Sequence, residues 1–133
     1  MLKLHHIGFV VKNIEAYLKT SQYAGSTEVL YDPAQHSNIC MLENGDNEPP
    51  IELIEPIDEK STTYQYLRKN GNCTHHLCYQ VDSYEKLEVY MAQHKLKRIS
   101  SPVEAPVFHR QKVVFTYSRT QGIVEFVILS RGS

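Results

Sequence analysis

His6-Ile7-Gly8-Phe9-Val10-Val11 recurs in kind 70 positions later (6 to 76) as His76-Leu77-Cys78-Tyr79-Gln80-Val81. Each copy opens on an imidazole, continues in strand-forming residues and runs into an amphipathic stretch with helical spacing. The first of these is Ile14, Tyr17 and Leu18 behind an Asn13 N-cap; the second is Tyr84, Leu87, Tyr90 and Met91 behind Ser83. Each half then closes on an apolar strand bearing one carboxylate, Ile51-Glu52-Leu53-Ile54 and Ile123-Val124-Glu125-Phe126-Val127, 73 positions apart (52 to 125). One unit written twice, with an imidazole and a carboxylate at matching places, is the pattern expected of a metal site built by duplication.

Working outward from these strands, residues 1–57 read as a first β-α-β-β-β module. Its strands are expected over Leu4–Val11, Thr27–Tyr31, Asn38–Leu42 and between Pro50 and Pro56, with turn chemistry at Asn44-Gly45-Asp46-Asn47. Residues 58–72 read as a linker with one short helix through Tyr66 and Leu67, entered at Ser61-Thr62-Thr63 and ended by Asn70-Gly71. Residues 73–131 repeat the order: a strand to Val81, the Ser83-capped helix, a strand over Arg98–Ser100, and a loop holding Pro102 and Pro106. Strands at Lys112–Tyr117 and Ile123–Leu129 follow, joined by the Thr120-Gln121-Gly122 turn. The fold class is α+β: two such modules forming a concave mixed β-sheet cup within one compact domain.

Side chains alternate along a strand, so His6, Gly8 and Val10 share one face while Ile7, Phe9 and Val11 share the other. In the repeat, His76, Cys78 and Gln80 oppose Leu77, Tyr79 and Val81. Glu52 sits with Ile54 against Ile51 and Leu53, and Glu125 sits with Ile123 and Val127 against Val124, Phe126 and Ile128. Each polar residue is thus embedded in apolar sequence yet turned from the face best suited to pack under a helix. A carboxylate buried in such surroundings costs several kcal/mol unless something compensates it. A divalent cation compensates two at once. Two imidazoles and two carboxylates suit one Zn²⁺, Ni²⁺, Co²⁺ or Mn²⁺ ion and leave coordination positions open, which is the mark of a catalytic site rather than a structural one.

Bland readings stand beside these. A lone histidine at a strand start is usually structural, and His5 and His75 are alternatives to their neighbours. His94 reads as a surface helix residue, and His36 and His109 fall in loops. Fourteen basic against fifteen acidic residues give a net charge of −1, and the one basic cluster, Lys95, Lys97 and Arg98, reads as a solvated helix end rather than a nucleic-acid surface. No apolar run reaches the roughly 20 residues of a membrane span, and the start carries no signal-peptide pattern. Cys40, Cys73 and Cys78 are odd in number and lack paired spacing, which fits a reducing cytoplasm, with Cys40 and Cys78 in core strands.

The phrases at 5–11, Ile51-Glu52-Leu53-Ile54-Glu55-Pro56, residues 75–82 and Gly122-Ile123-Val124-Glu125-Phe126 together resemble the vicinal oxygen chelate superfamily, the glyoxalase, bleomycin-resistance and extradiol-dioxygenase group, over nearly the whole length. Within it the chain is most similar to methylmalonyl-CoA epimerase and glyoxalase-I-like proteins. The resemblance implies a metal held by His6, Glu52, His76 and Glu125, and a metal-dependent isomerase or lyase that moves a proton next to a carbonyl. Glu125 is the first candidate for the base and Glu52 the second. The substrate implied is a thiol adduct or an acyl-CoA, the assembly a homodimer, and Gln80, Gln35 and Lys112 are candidates for contact with substrate. One departure stands out: where the epimerases carry a Glu-Gln-Gly segment, this chain has Pro33-Ala34-Gln35-His36, and Ala34 cannot move a proton, which leaves Asp32 and His36 as nearby groups. Two alternatives from the same group are a metal-free drug-binding protein, for which nine tyrosines make an aromatic cleft feasible, and an Fe(II) dioxygenase, for which the second glutamate is surplus.

Overall fold

The computed structural model of the chain describes residues 2–23, 25–43, 45 and 48–129. Asn44, Asp46 and Asn47 of the expected turn, and residues 130–131 of the expected second module, lie outside the described residues. The chain divides into two compact units, residues 6–75 and residues 1–5 with 76–133.

The first unit holds β1 (Lys3–Val10) from residue 6 onward, α1 (Ile14–Thr20), β2 (Gly25–Ser26), β3 (Leu30–Asp32), β4 (Ser37–Glu43), β5 (Ile51–Pro56) and α2 (Tyr64–Asn70). Its sheet runs β2-β4-β5-β1, with β3 also on β4. β1 and β5 are parallel; β4 is antiparallel to β5. Asn13 caps α1 as expected, its side chain accepting from the Ala16 amide at 2.8 Å. The helix packs on Val11, Cys40, Leu42 and Leu53. Those are the faces of β4 and β5 opposite Glu52, as the alternation requires. α2 ends where Gly71 takes φ 72°, a left-handed conformation that lets its amide return to the Leu67 carbonyl at 2.7 Å.

The second unit repeats the order: β6 (Cys73–Val81) from residue 76, α3 (Tyr84–His94), β7 (Lys97–Arg98), β8 (Val103–Ala105), a 3₁₀ turn over Pro106–Phe108, β9 (Gln111–Ser118) and β10 (Gly122–Ile128). Its sheet runs β6-β10-β9-β7, with β8 also on β9. β6 and β10 are parallel, β9 and β10 antiparallel. Ser83 caps α3 by accepting from the Lys86 amide at 3.2 Å. Leu87 and Met91 bury against Val81, Val114, Val124, Phe126 and Ile128. Tyr84, expected on that stripe, is exposed. It is the first residue of the helix and precedes the turn that covers the sheet.

The second strand of each module, expected as one piece, is broken in two by the same device. In the first unit the Met41 amide donates to Thr27 Oγ1 at 2.9 Å while Met41's carbonyl accepts from the Thr27 amide. In the second the Phe115 amide donates to Ser100 Oγ at 2.9 Å while its carbonyl accepts from the Ile99 amide. A side-chain hydroxyl takes the place of a ladder carbonyl, and the strand bends there. The stretch between Pro102 and Pro106, expected as a loop, is therefore β8, a resumed edge strand on β9.

Candidate functional site

In the first unit the parallel register sets Gly8 across from Glu52, with His6 two residues earlier on the same face. His6 Nε2 lies 3.6 Å from Glu52 Oε1. In the second unit the parallel register sets Cys78 across from Glu125, with His76 again two residues earlier. His76 Nε2 lies 3.0 Å from Glu125 Oε1. The same pair is thus built twice, from the same strand pairing and the same step of two. All four residues are buried, each glutamate being 1% exposed.

The second pair is braced from β9, where Phe115 stands opposite Glu125 and sets its ring edge-on to the His76 imidazole, 5.3 Å between centroids at 87°. Sequence reading passed over Phe115, because the contact depends on the β9–β10 register and not on any local motif.

The chemistry of this donor set fits a divalent cation. Nitrogen and oxygen ligands about 2.1 Å from one ion stand roughly 3 Å apart from each other. Each pair falls near that spacing, and the His6–Glu52 separation of 3.6 Å is longer than a hydrogen bond. A carboxylate kept from water costs several kcal/mol unless a cation or hydrogen bonds compensate it.

The remaining sequence candidates are placed as follows. Gln80 lies on the His76 face of β6, half-buried, and lines a surface cleft with Leu2, Lys3, Val81, Asp82 and Lys86. Gln35 is buried at the β3–β4 turn, its Nε2 donating to Asp32 Oδ2 at 3.0 Å. Lys112 is exposed and, three residues from Phe115, falls on the opposite face of β9 from Glu125; nothing in the second unit turns it to that glutamate. Apart from those candidates, Lys12 lines a cavity of about 410 Å³ with Pro56, Tyr64, Leu67, Arg68, Gly71 and Asn72. His5 meets the edge of Phe108 and His75 that of Tyr66, centroids 4.9 Å apart in each case. His36 accepts or donates between the Tyr31 hydroxyl at 2.8 Å and Asp58 at 3.1 Å. His94 stacks on Tyr90 of its own helix. Cys40 and Cys78 are buried and none of the three cysteines is in a disulfide. Burial pushes the Cys40 thiol up to about 11. No helix among the described residues is long and apolar enough to cross a membrane.

Residues 5–115 match the Glyoxalase/Bleomycin resistance protein/Dioxygenase superfamily, and the chain belongs to that family, the vicinal oxygen chelate group. Among solved structures, a hypothetical protein from Bacillus halodurans C-125 superposes with a TM-score of 0.81 at 26% identity, covering 99% of this chain and 97% of its own. Methylmalonyl-CoA epimerase from Mycobacterium tuberculosis superposes with a TM-score of 0.78 at 17% identity, covering 98% of this chain and 88% of its own. A Streptomyces coelicolor methylmalonyl-CoA epimerase variant in complex with 2-nitronate-propionyl-CoA gives a TM-score of 0.79 at 18% identity, covering 98% of each chain. At those identities the two epimerases share the fold with this chain. No curated protein is significantly similar to it in sequence.

Proposed function

We propose that this chain is a metal-dependent isomerase or lyase that moves a proton next to a carbonyl, of the glyoxalase I or methylmalonyl-CoA epimerase kind. The observation that carries the reading is the twice-built buried imidazole–carboxylate pair at one register. His6, Glu52, His76 and Glu125, all buried and all of ligand type, are assigned to one Zn²⁺, Ni²⁺, Co²⁺ or Mn²⁺ ion per chain. When bound, such an ion supplies Lewis acidity to a substrate oxygen and makes the neighbouring C–H more acidic.

The chain's own residues do the rest. His6 and His76 would hold the ion together with the two glutamates, and the Phe115 ring, edge-on to the His76 imidazole, limits how that ring can turn. Ile39, Met41 and Ile54 on the Glu52 face, and Val127 on the Glu125 face, exclude water from the carboxylates. Glu125 is the first candidate for the base and Glu52 the second. Either takes the proton from carbon and returns it. The substrate class is a carbonyl compound carried as an acyl-CoA or a thiol adduct; epimerases of this fold are known in complex with acyl-CoA compounds. The absence of disulfides among the cysteines supports a reducing compartment such as the cytoplasm, and a homodimer is the assembly to check by light scattering.

Metal analysis of protein purified without chelator tests the reading. One equivalent per chain, lost in His6→Ala and in His76→Ala together with proton exchange on methylmalonyl-CoA, is the expected result. No bound metal in the wild type, with ligand binding intact in both variants, sinks it and leaves a sequestration protein.

A further inference from the structure

The linker helix α2 covers part of the first unit without closing on it. Unlike α1 and α3 it has no buried residue. Tyr64 and Leu67, three apart and so on one side of the helix, are only half-buried. Both line the cavity of about 410 Å³ that Lys12, Pro56, Arg68, Gly71 and Asn72 complete. Small-molecule sites usually span about 300–1,000 Å³. Two opposite walls are tied together: the Lys12 amide donates to Asn72 Oδ1 at 2.9 Å, and the Gly71 amide donates to the Leu67 carbonyl at 2.7 Å. The loop after β1 and the end of α2 are thereby fixed to one another.

Lys12 and Arg68 bring two positive charges to this cavity, and no carboxylate lines it. Among the described residues neither is in an ion pair, whereas Lys19, Lys86, Arg98 and Arg110 each have a carboxylate partner. Glu55, beside Pro56, is the counter-ion nearest in sequence, but it is engaged elsewhere. Its Oε2 accepts from the Ile14 amide at 2.8 Å and its Oε1 from Asn38 Nδ2 at 3.1 Å. From 60 to 72 the chain has no acidic residue at all, although its net charge is −1. Two like charges over one cavity repel, and an anion between them turns that cost into attraction. A guanidinium takes a carboxylate through two parallel N–H bonds, and the apolar walls suit an apolar body.

The cavity is not an extension of the metal site. Pro56 follows Glu52 by four residues of β5, about 13 Å along the strand. The paired Val10 and Ile54, both fully buried, stand between. None of the lining residues is one of the four assigned to the ion.

We propose that this cavity is a second binding site, for a small organic carboxylate with an apolar body. Arg68 and Lys12 hold the acid group; Tyr64, Leu67 and Pro56 contact the body. The site does not depend on the function proposed above.

The test is a titration of the full chain with phenylacetate, followed by ¹H–¹⁵N NMR, with neutral phenylacetamide as the control of the same shape. Phenylacetate is expected to give saturating shifts gathered at the amides of Lys12, Leu67, Gly71 and Asn72. Phenylacetamide, Arg68→Gln and Lys12→Gln are each expected to weaken binding about tenfold, the worth of a hydrogen bond to a charged group. Both substituted side chains are exposed, so these variants are expected to melt with the wild type. Lys69→Gln removes the same charge from the neighbouring position, outside the cavity lining, and is expected to bind as the wild type does. Shifts that do not saturate or that gather elsewhere, phenylacetamide binding as tightly as phenylacetate, or equal losses in Arg68→Gln and Lys69→Gln overturn the proposal.

Discussion

Replacing Glu125 by glutamine should make the metal-free protein more stable and the metal-loaded protein less so. Glu125 is 1% exposed and 3.0 Å from His76 Nε2, so its charge is held almost entirely out of water. Glutamine keeps the shape and still offers an oxygen or an amide to the imidazole. Removing the charge without opening a cavity returns part of the desolvation cost, about 1–2 kcal/mol. Unfolding entropy of about 2.1 cal/mol/K per residue is roughly 0.28 kcal/mol/K for a chain of this length, so Tm in chelator should rise by about 4–7 °C. With Co²⁺ at a hundred times its Kd, the wild type should gain about 2.7 kcal/mol, or about 10 °C. Loss of one of four ligands that weakens binding about 100-fold leaves the variant, at the same Co²⁺, with only about 0.4 kcal/mol, or 1–2 °C. The assay is a thermal melt of both proteins in EDTA and in Co²⁺. The expected result is a crossing of their order. A variant that melts lower than wild type in EDTA, yet gains as much from Co²⁺, refutes the assignment of Glu125 as a ligand.

Thr63 Oγ1 is buried without a hydrogen-bond partner among the described residues and makes no cap bond to α2. Thr63→Val should therefore hold or raise stability by about 1 kcal/mol, against the loss of about 1 kcal/mol expected of a working N-cap; a urea titration decides between them. Iodoacetamide at pH 8 should label half-buried Cys73 well before Cys40, whose thiol burial pushes up to about 11, or Cys78; peptide mass spectrometry showing Cys40 labelled first would contradict the core placement. Asp32 is held above the ordinary carboxylate range, so the folded chain keeps its proton longer than the unfolded chain. Its contribution is complete below the unfolded value and is lost as pH rises through the folded one. The stability of Asp32→Asn relative to wild type should accordingly climb from acid toward neutral pH and then level; a gap that stays flat, measured by urea unfolding at several pH values, speaks against a strained carboxyl.

Features that bind within one turn of chain were open to sequence reading. Asn13 and Ser83 meet amides three residues on, so the helix starts follow from neighbours alone. The breaks in the second strands were not, because Thr27 meets Met41 and Ser100 meets Phe115 across a ladder. The same holds for β8, whose bracketing prolines read as a loop until β9 is there to pair with it. In the sequence Asp32 stands out only as a carboxyl near Ala34, and nothing local marks it as buried. Its burial comes from β4 and Gln35 closing over it.

From sequence alone came the duplication, the family, and the face on which each histidine and glutamate stands, since a period of two is written into every strand. Only the tertiary structure decided that Glu52 stands opposite Gly8 and Glu125 opposite Cys78. Parallel strands are joined by long crossovers, and no local residue pattern sets how far one slides along the other. That register is settled by the packing of Leu53 beneath α1 and of Phe126 beneath α3, and with it the approach of each imidazole to its carboxylate.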